Sequence, residues 1–269
     1  MHYKEGIEIP LFQFDILKPY SSNVVHFVST RNPDFLPSAS NCFTIGLNGA
    51  LENEFVLVNR KLIANSLGFK SDSYVFASQD HGKNVAVVTE KEKGRGAFSR
   101  TDYIDGVDAL VTNNKGICLI AQAADCVPIL FFDPIKKIIA SAHAGWKGTV
   151  LKIVKVVVEK MKVEFCCNPQ DILIGIGPSA GPCCYEVGND VIIEVTSAFG
   201  QVNAILKVTS KPDRAIFNMW EANRINLLEA GVKEENIEIS SRCTICENNT
   251  FFSARKGDKG RFAAGIMLV

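Results

Sequence analysis

Four histidines in 269 residues leave few places for imidazole chemistry, and two of them stand beside turns. His143 closes the apolar run "KIIASAH" and opens "AGWKG", and His81 lies in the polar turn "SQDHGKN" between two apolar runs. Cys126 directly precedes "VPILFF", the run before His143. The runs 127–132 and 137–143 flank "DPIK", and a four-residue hairpin loop there pairs Phe132 with Lys137. The same ladder sets Cys126 opposite His143 on one face, with Cβ atoms roughly 4.5–5.5 Å apart. A slip of one residue would separate them onto opposite faces.

A cysteine and a histidine so placed are packed core residues, the nucleophile and base of a cysteine hydrolase, or ligands of one metal ion. Their position at strand ends beside turns argues against a core role. For a third ligand His81 is preferred over His2, at the terminus, and His26, inside the strand-like "NVVHFVS". His81, Cys126 and His143 leave one tetrahedral position open, which suits one catalytic Zn2+ with a bound water as nucleophile near neutral pH. The same donors with a weak axial methionine would suit copper. Met1, Met161, Met219 and Met267 do not cluster near these ligands, so zinc is expected and copper is not.

Two other cysteine motifs stand out. "GPSAGPCCYEVG" (177–188) is a Gly/Pro loop after a buried strand, with Cys184 and Tyr185 expected as pocket wall. Adjacency makes a mutual Cys183–Cys184 disulfide strained. "CTIC" (243–246) has no second C-x-x-C and no βαβ context, so it reads as buried structure rather than a zinc ribbon or redox pair.

The elements that must carry these residues are mixed. Short β-branched or aromatic runs read as strands at 73–78, 84–90, 108–112, 116–122, 127–132, 137–143 and 171–177. Helices are expected over 149–165, capped by Thr149, over 189–199 from Asn189 to Gly200, and over 218–231. Loops are placed at 29–41 and 91–102. Hairpins alongside crossovers argue for an α+β fold in a single layered domain, 1–269.

Lys+Arg and Asp+Glu are 29 each, which argues against a nucleic-acid or membrane-surface binder. No stretch of about 18 unbroken apolar residues marks a membrane span. The start "MHYKEGIEIPLFQFD" lacks the form of a signal peptide, and nine cysteines are then expected reduced in a cytoplasmic protein. Oligomeric state is not legible.

"QDHGKNV", "DGVDALVT", "AADCVPILFFDP", "AHAGWKGT", "IGPSAGPCCYEVG" and "FFSARKGDKGRFAAGI" together resemble, in order, the YfiH-type laccase-domain family, from about Val24 to the C-terminus. The resemblance implies a layered α+β fold with mixed sheet between helices. It implies a histidine, cysteine, histidine metal triad, which maps onto His81, Cys126 and His143. It also implies purine nucleoside chemistry. One activity is phosphorolysis of adenosine, inosine, guanosine and methylthioadenosine, with inorganic phosphate as co-substrate; the other is zinc-dependent deamination of adenosine. A multicopper oxidase needs roughly ten histidines, and this chain has four. The chain departs from the family at "STRNPDFLPSAS", which lacks a glycine pair, and at "TIGLNG" (44–49).

For deamination, Asp125 and Asp80 are the carboxylates at hand for proton transfer, with Asp125 alternatively a support for Cys126. The H-x-E and P-C-x-x-C deaminase signature is missing. For phosphorolysis, Lys147 at the helix start after His143, Arg255 and Arg261 are candidate anion ligands. Gln79 is a candidate for the purine or ribose. Two rivals remain. One is a cysteine hydrolase, such as an amidase on a cell-wall precursor, using Cys126 and His143. The other is a binding protein whose zinc only stabilises the fold.

Overall fold

The computed structural model describes residues 1–4, 9–31, 43–47 and 53–269. Most of the loop placed at 29–41, and Cys42, lie outside the described residues.

Two six-stranded mixed sheets stack face to face. The first has the order β1 (His2–Tyr3), β2 (Leu11–Gln13), β3 (Val24–Ser29), β15 (Phe262–Leu268), β7 (Cys118–Ala123), β4 (Tyr74–Phe76). The second has β14 (Ile237–Ile239), β10 (Leu173–Ile176), β8 (Val127–Asp133), β9 (Ile138–Ala144), β6 (Ala109–Thr112), β5 (Val85–Val87). A small third sheet orders β11 (Glu186–Gly188), β13 (Arg214–Phe217), β12 (Leu206–Val208). Helices α1 (Asn53–Ser66), α2 (Trp146–Val150), α3 (Ile153–Phe165), α4 (Asn189–Phe199) and α5 (Met219–Glu229) complete the fold.

The period-two pleat explains the layering. In β8, Leu130 and Phe132 join Leu119 and Ile266 between the two large sheets. Val127, Ile129 and Phe131 instead meet Val154, Val157 and Met161 of α3 and Leu227 of α5 on the outer side. Ile63 and Ala64 of α1 cover the far face of the first sheet against Phe27 and Ile120. The α+β architecture agrees with the sequence reading, although two stacked sheets stand where one was expected.

The β8–β9 hairpin corrects the expected register. Its four-residue turn is Pro134–Lys137, and Asp133 pairs with Ile138. Asp133 is fully buried and its carboxylate accepts the amides of Ile135 and Lys136, both at 2.8 Å. An Asp that bonds the backbone two residues on belongs at the start of a turn, so the strand runs through Asp133 and the ladder moves by two. His143 then opposes Pro128, and Cys126 becomes its diagonal neighbour rather than its direct partner. An even shift preserves the face.

The helix expected over 149–165 is two helices. Lys152 adopts φ 58° between α2 and α3. The Thr149 carbonyl, which a continuous helix would give to residue 153, accepts from Asn226 Nδ2 at 3.0 Å and from the Lys152 amide at 3.1 Å. Thr149 is buried inside α2, and Gly145 holds the cap position assigned to it.

Candidate metal centre and active site

The topology gathers the chemical residues at one end of the sandwich. The chain crosses from the first sheet to the second there twice, through the β4–β5 segment with His81 and the β7–β8 segment with Cys126. β9 also ends there, with His143 its next-to-last residue, beside Pro128 at the start of β8. β10 runs antiparallel to β8 and β14 parallel to β10, so the loops after both, 177–185 and 240–247, reach the same end. β15 starts beside Ala123, which brings the 253–261 loop there too.

The crossings are sharp. Gln79, His81 and Asp125 adopt φ of 60°, 64° and 88°, a region that non-glycine residues occupy at a cost of order 1–3 kcal/mol each and that collects at functional sites. Surrounding bonds hold them. The Gln79 side chain accepts the Gln122 amide and donates to the Gln122 carbonyl, both at 2.8 Å. Both ends of its amide therefore fix the loop.

The ligand atoms of His81, Cys126 and His143 lie within 4.8 Å of one another. Cys126 Sγ is 3.8 Å from His81 Nε2, and the two imidazoles stand edge to face with centroids 4.9 Å apart. A tetrahedral zinc with ordinary bond lengths spaces such donors by about 3.3–3.6 Å, so the cluster fits with small adjustment. His143 is buried, Cys126 partly buried and His81 exposed, so the cluster opens to solvent on one side.

Asp108 organises the cluster, and sequence reading missed it. Its Oδ1 lies 2.8 Å from His143 Nδ1 and accepts the His81 amide at 2.9 Å, while Oδ2 accepts the Gly82 amide at 2.7 Å. This leaves His143 Nε2 to face Cys126, the carboxylate–histidine arrangement of metal sites. Burial opposes its charge, but the bonds from His143, Gly82 and His81 keep the Asp108 carboxyl below its ordinary range. Asp108 sits just before β6, beside His143 on β9; only that non-local pairing reveals it.

Gly145 is the second missed residue. A Cβ there would meet His81 Cδ2 at 2.9 Å and Cys126 Sγ at 3.1 Å. Both belong to side chains that cannot retreat and still converge. Gly145→Ala is expected to weaken metal affinity by at least tenfold, with the melting temperature changed little, as competition with a chromophoric chelator would report.

Burial alone would raise the Cys126 thiol, but the charge of His143 and hydrogen bonds from His143 and His81 bring it down to about 6. Burial lowers His143, and the Cys126 thiolate and Asp108 outweigh that, raising it to about 9. In metal-free protein these opposite shifts favour the thiolate–imidazolium pair. Alkylation of the Cys126 peptide should rise through pH about 6, not the ordinary thiol value of about 8.5. Mass spectrometry across a pH series checks this, and added zinc should suppress the reaction.

The remaining candidates separate. Asp125, expected as a proton carrier or support, has both oxygens engaged. Oδ1 accepts Thr244 Oγ1 at 2.6 Å; Oδ2 accepts the Arg255 amide at 2.7 Å and Ser253 Oγ at 3.1 Å. It ties two loops beside Cys126. Asp80 is exposed and has no hydrogen-bond partner among the described residues. Tyr185 is buried and packs under Arg255, whose guanidinium is 4.9 Å from its ring centroid. Burial and the nearby Cys126 charge push its hydroxyl up to about 12. Arg255 is exposed, and its guanidinium donates to the Glu186 carbonyl. Arg261 folds onto the Lys259 and Gly260 carbonyls. Lys147 is exposed on α2, a helix of five residues. The other two histidines lie elsewhere: His26 accepts the Phe14 amide inside the first sheet, and His2 pairs with Asp15 in β1.

Fold and site together define an α+β protein with a two-histidine, one-cysteine centre at the open end of a β-sandwich. A family model described as multi-copper polyphenol oxidoreductase laccase matches residues 25–269, and the chain belongs to that laccase-domain family. Two histidines near one cysteine cannot build the centres that description names. A purine nucleoside phosphorylase, YlmD of Geobacillus stearothermophilus, is 36% identical over 224 residues, 82% of each chain. An adenosine deaminase, RL5, from an unknown prokaryotic organism, is 38% identical over 78% of this chain and 81% of its own. The crystal structure of YlmD from Geobacillus stearothermophilus superposes with a TM-score of 0.90 at 31% identity, covering 99% of this chain and 98% of that one.

Proposed function

We propose that this chain is a zinc-dependent, cytoplasmic purine nucleoside enzyme. It cleaves adenosine, inosine, guanosine and methylthioadenosine with inorganic phosphate to base and (methylthio)ribose 1-phosphate, and deaminates adenosine to inosine. The observation that carries this is the convergence of His81, Cys126 and His143 on one open point, in a chain whose relatives bear both activity names. Among the described residues no helix is long and apolar enough to cross a membrane.

Zinc held by these three side chains supplies Lewis acidity and an activated water. The chain's own residues do the rest. Asp108 holds His143 in the tautomer that turns Nε2 inward. Asp80, exposed beside His81, carries the proton in deamination. Phosphorolysis needs phosphate held on the face opposite the leaving base while positive charge grows at C1′. Arg255 and Lys147, both exposed, are the cations for that task, with Tyr185 as the wall against the nucleoside.

One observation favours a second reading. His143 is bonded to Asp108 through Nδ1 and brings a ring nitrogen within 4.8 Å of Cys126 Sγ, the order of a cysteine-hydrolase triad. Its substrate would be an amide, as in a cell-wall precursor. Purified protein incubated with adenosine, with and without phosphate, decides between them. Inosine without phosphate reports deamination, and adenine only with phosphate reports phosphorolysis. Turnover of neither, together with amidase activity in chelator, would favour the triad.

A further inference from the structure

We propose that Cys183, Cys184, Cys243 and Cys246 form a second metal centre, a closed tetrathiolate zinc site with a structural role. The sequence reading set "CTIC" aside for want of a second cysteine pair. The fold supplies that pair from 60 residues away, as "CC" of the 177–188 loop.

The four Sγ atoms lie within 4.8 Å of one another. Cys184 Sγ is 3.2 Å and Cys183 Sγ 3.5 Å from Cys246 Sγ. Zinc–sulfur bonds of about 2.3 Å in a tetrahedron set sulfurs about 3.8 Å apart, close to this spacing. Cys243 is buried, as expected for its motif, but Cys246 and Cys183 are exposed, so apolar packing does not account for those two.

Cys243 shows the strongest preparation. Its Sγ accepts the Gly181 amide at 3.3 Å. A backbone N–H aimed at the sulfur favours a thiolate there. Without a cation, a charge on one thiol discourages charges on the others; a divalent ion removes that conflict. Four soft sulfurs with no imidazole or carboxylate among them select zinc over harder ions. Four protein ligands leave no open position, which marks a structural site.

The location explains what the centre would hold. Ser179 bridges Cys243, the Thr244 amide donates to the Ser179 carbonyl at 2.9 Å, and the Thr244 hydroxyl reaches Asp125 beside Cys126. Tyr185 follows Cys184 directly. A metal there clamps two loops that frame the first centre. This inference does not depend on which reaction the first centre performs.

Metal content decides it. Wild-type protein purified under reductant should carry two zinc ions per chain by native mass spectrometry. Cys126→Ala should keep one, and after exchange for cobalt should show the intense sulfur-to-metal absorption of a four-thiolate site. Cys243→Ser/Cys246→Ser should also keep one, with a cobalt spectrum of mixed nitrogen and sulfur donors and a lower melting temperature. If that variant does not fold, Cys126→Ala still decides. A folded Cys126→Ala protein that holds no metal, or a Cys184–Cys246 disulfide in reductant-purified wild type, would overturn the proposal.

Discussion

Cys126→Ala is expected to lower purine nucleoside turnover by about a thousandfold or more while the sandwich stays folded. The sulfur is one of three donors at the open centre and cannot be replaced by a neighbour, because Asp125 is turned away into bonds with Thr244, Ser253 and Arg255. A metal contributes several kcal/mol of charge stabilisation in the transition state, and each 1.36 kcal/mol is about tenfold in rate. Little stability depends on the side chain, which is partly exposed and belongs to none of the three hydrophobic cores. Steady-state rates beside a circular dichroism melt separate the two effects. Loss of fold together with activity would mean that the cysteine is structural.

The second large effect is expected at Asp108, which never contacts the metal. Asp108→Asn keeps the shape but exchanges one acceptor oxygen for an NH2 donor. That group must then face the His143 ring nitrogen, the His81 amide or the Gly82 amide, all of which the carboxylate now receives. Removing such a support typically costs about 10–100-fold in metal affinity or activity. A buried donor left without a partner costs about 1–3 kcal/mol of stability in addition. Metal affinity should fall with activity, and saturating zinc should recover most of the turnover. If zinc restored nothing, Asp108 would be acting on the chemistry itself.

The three candidate metal ligands were legible in the sequence because scarce residue types stood beside turns, and because side-chain parity survives an even slip of register. The direct Cys126–His143 pairing was wrong because buried Asp133 starts the turn one residue later than loop length alone suggests. Strand positions in the middle of the chain were readable from β-branched runs. Helix α1 was not: it buries Asn59 and Arg60 beside Ile63, so its apolar stripe is interrupted. The Arg60 guanidinium is satisfied by the carbonyls of Ile45, Gly96 and Ala97 and by Tyr103 Oη, partners that no local pattern reveals. Asp108, Gly145 and the four-cysteine cluster were hidden for the same reason. Each acquires its role from strands and loops far apart in the chain.

Zinc titration of metal-free protein, read as product formed from adenosine and phosphate, tests the central claim most directly. Turnover should be near background without metal, should climb to a plateau as zinc is added, and should stay at background for Cys126→Ala at every zinc concentration. Full turnover by the metal-free wild type would contradict the account.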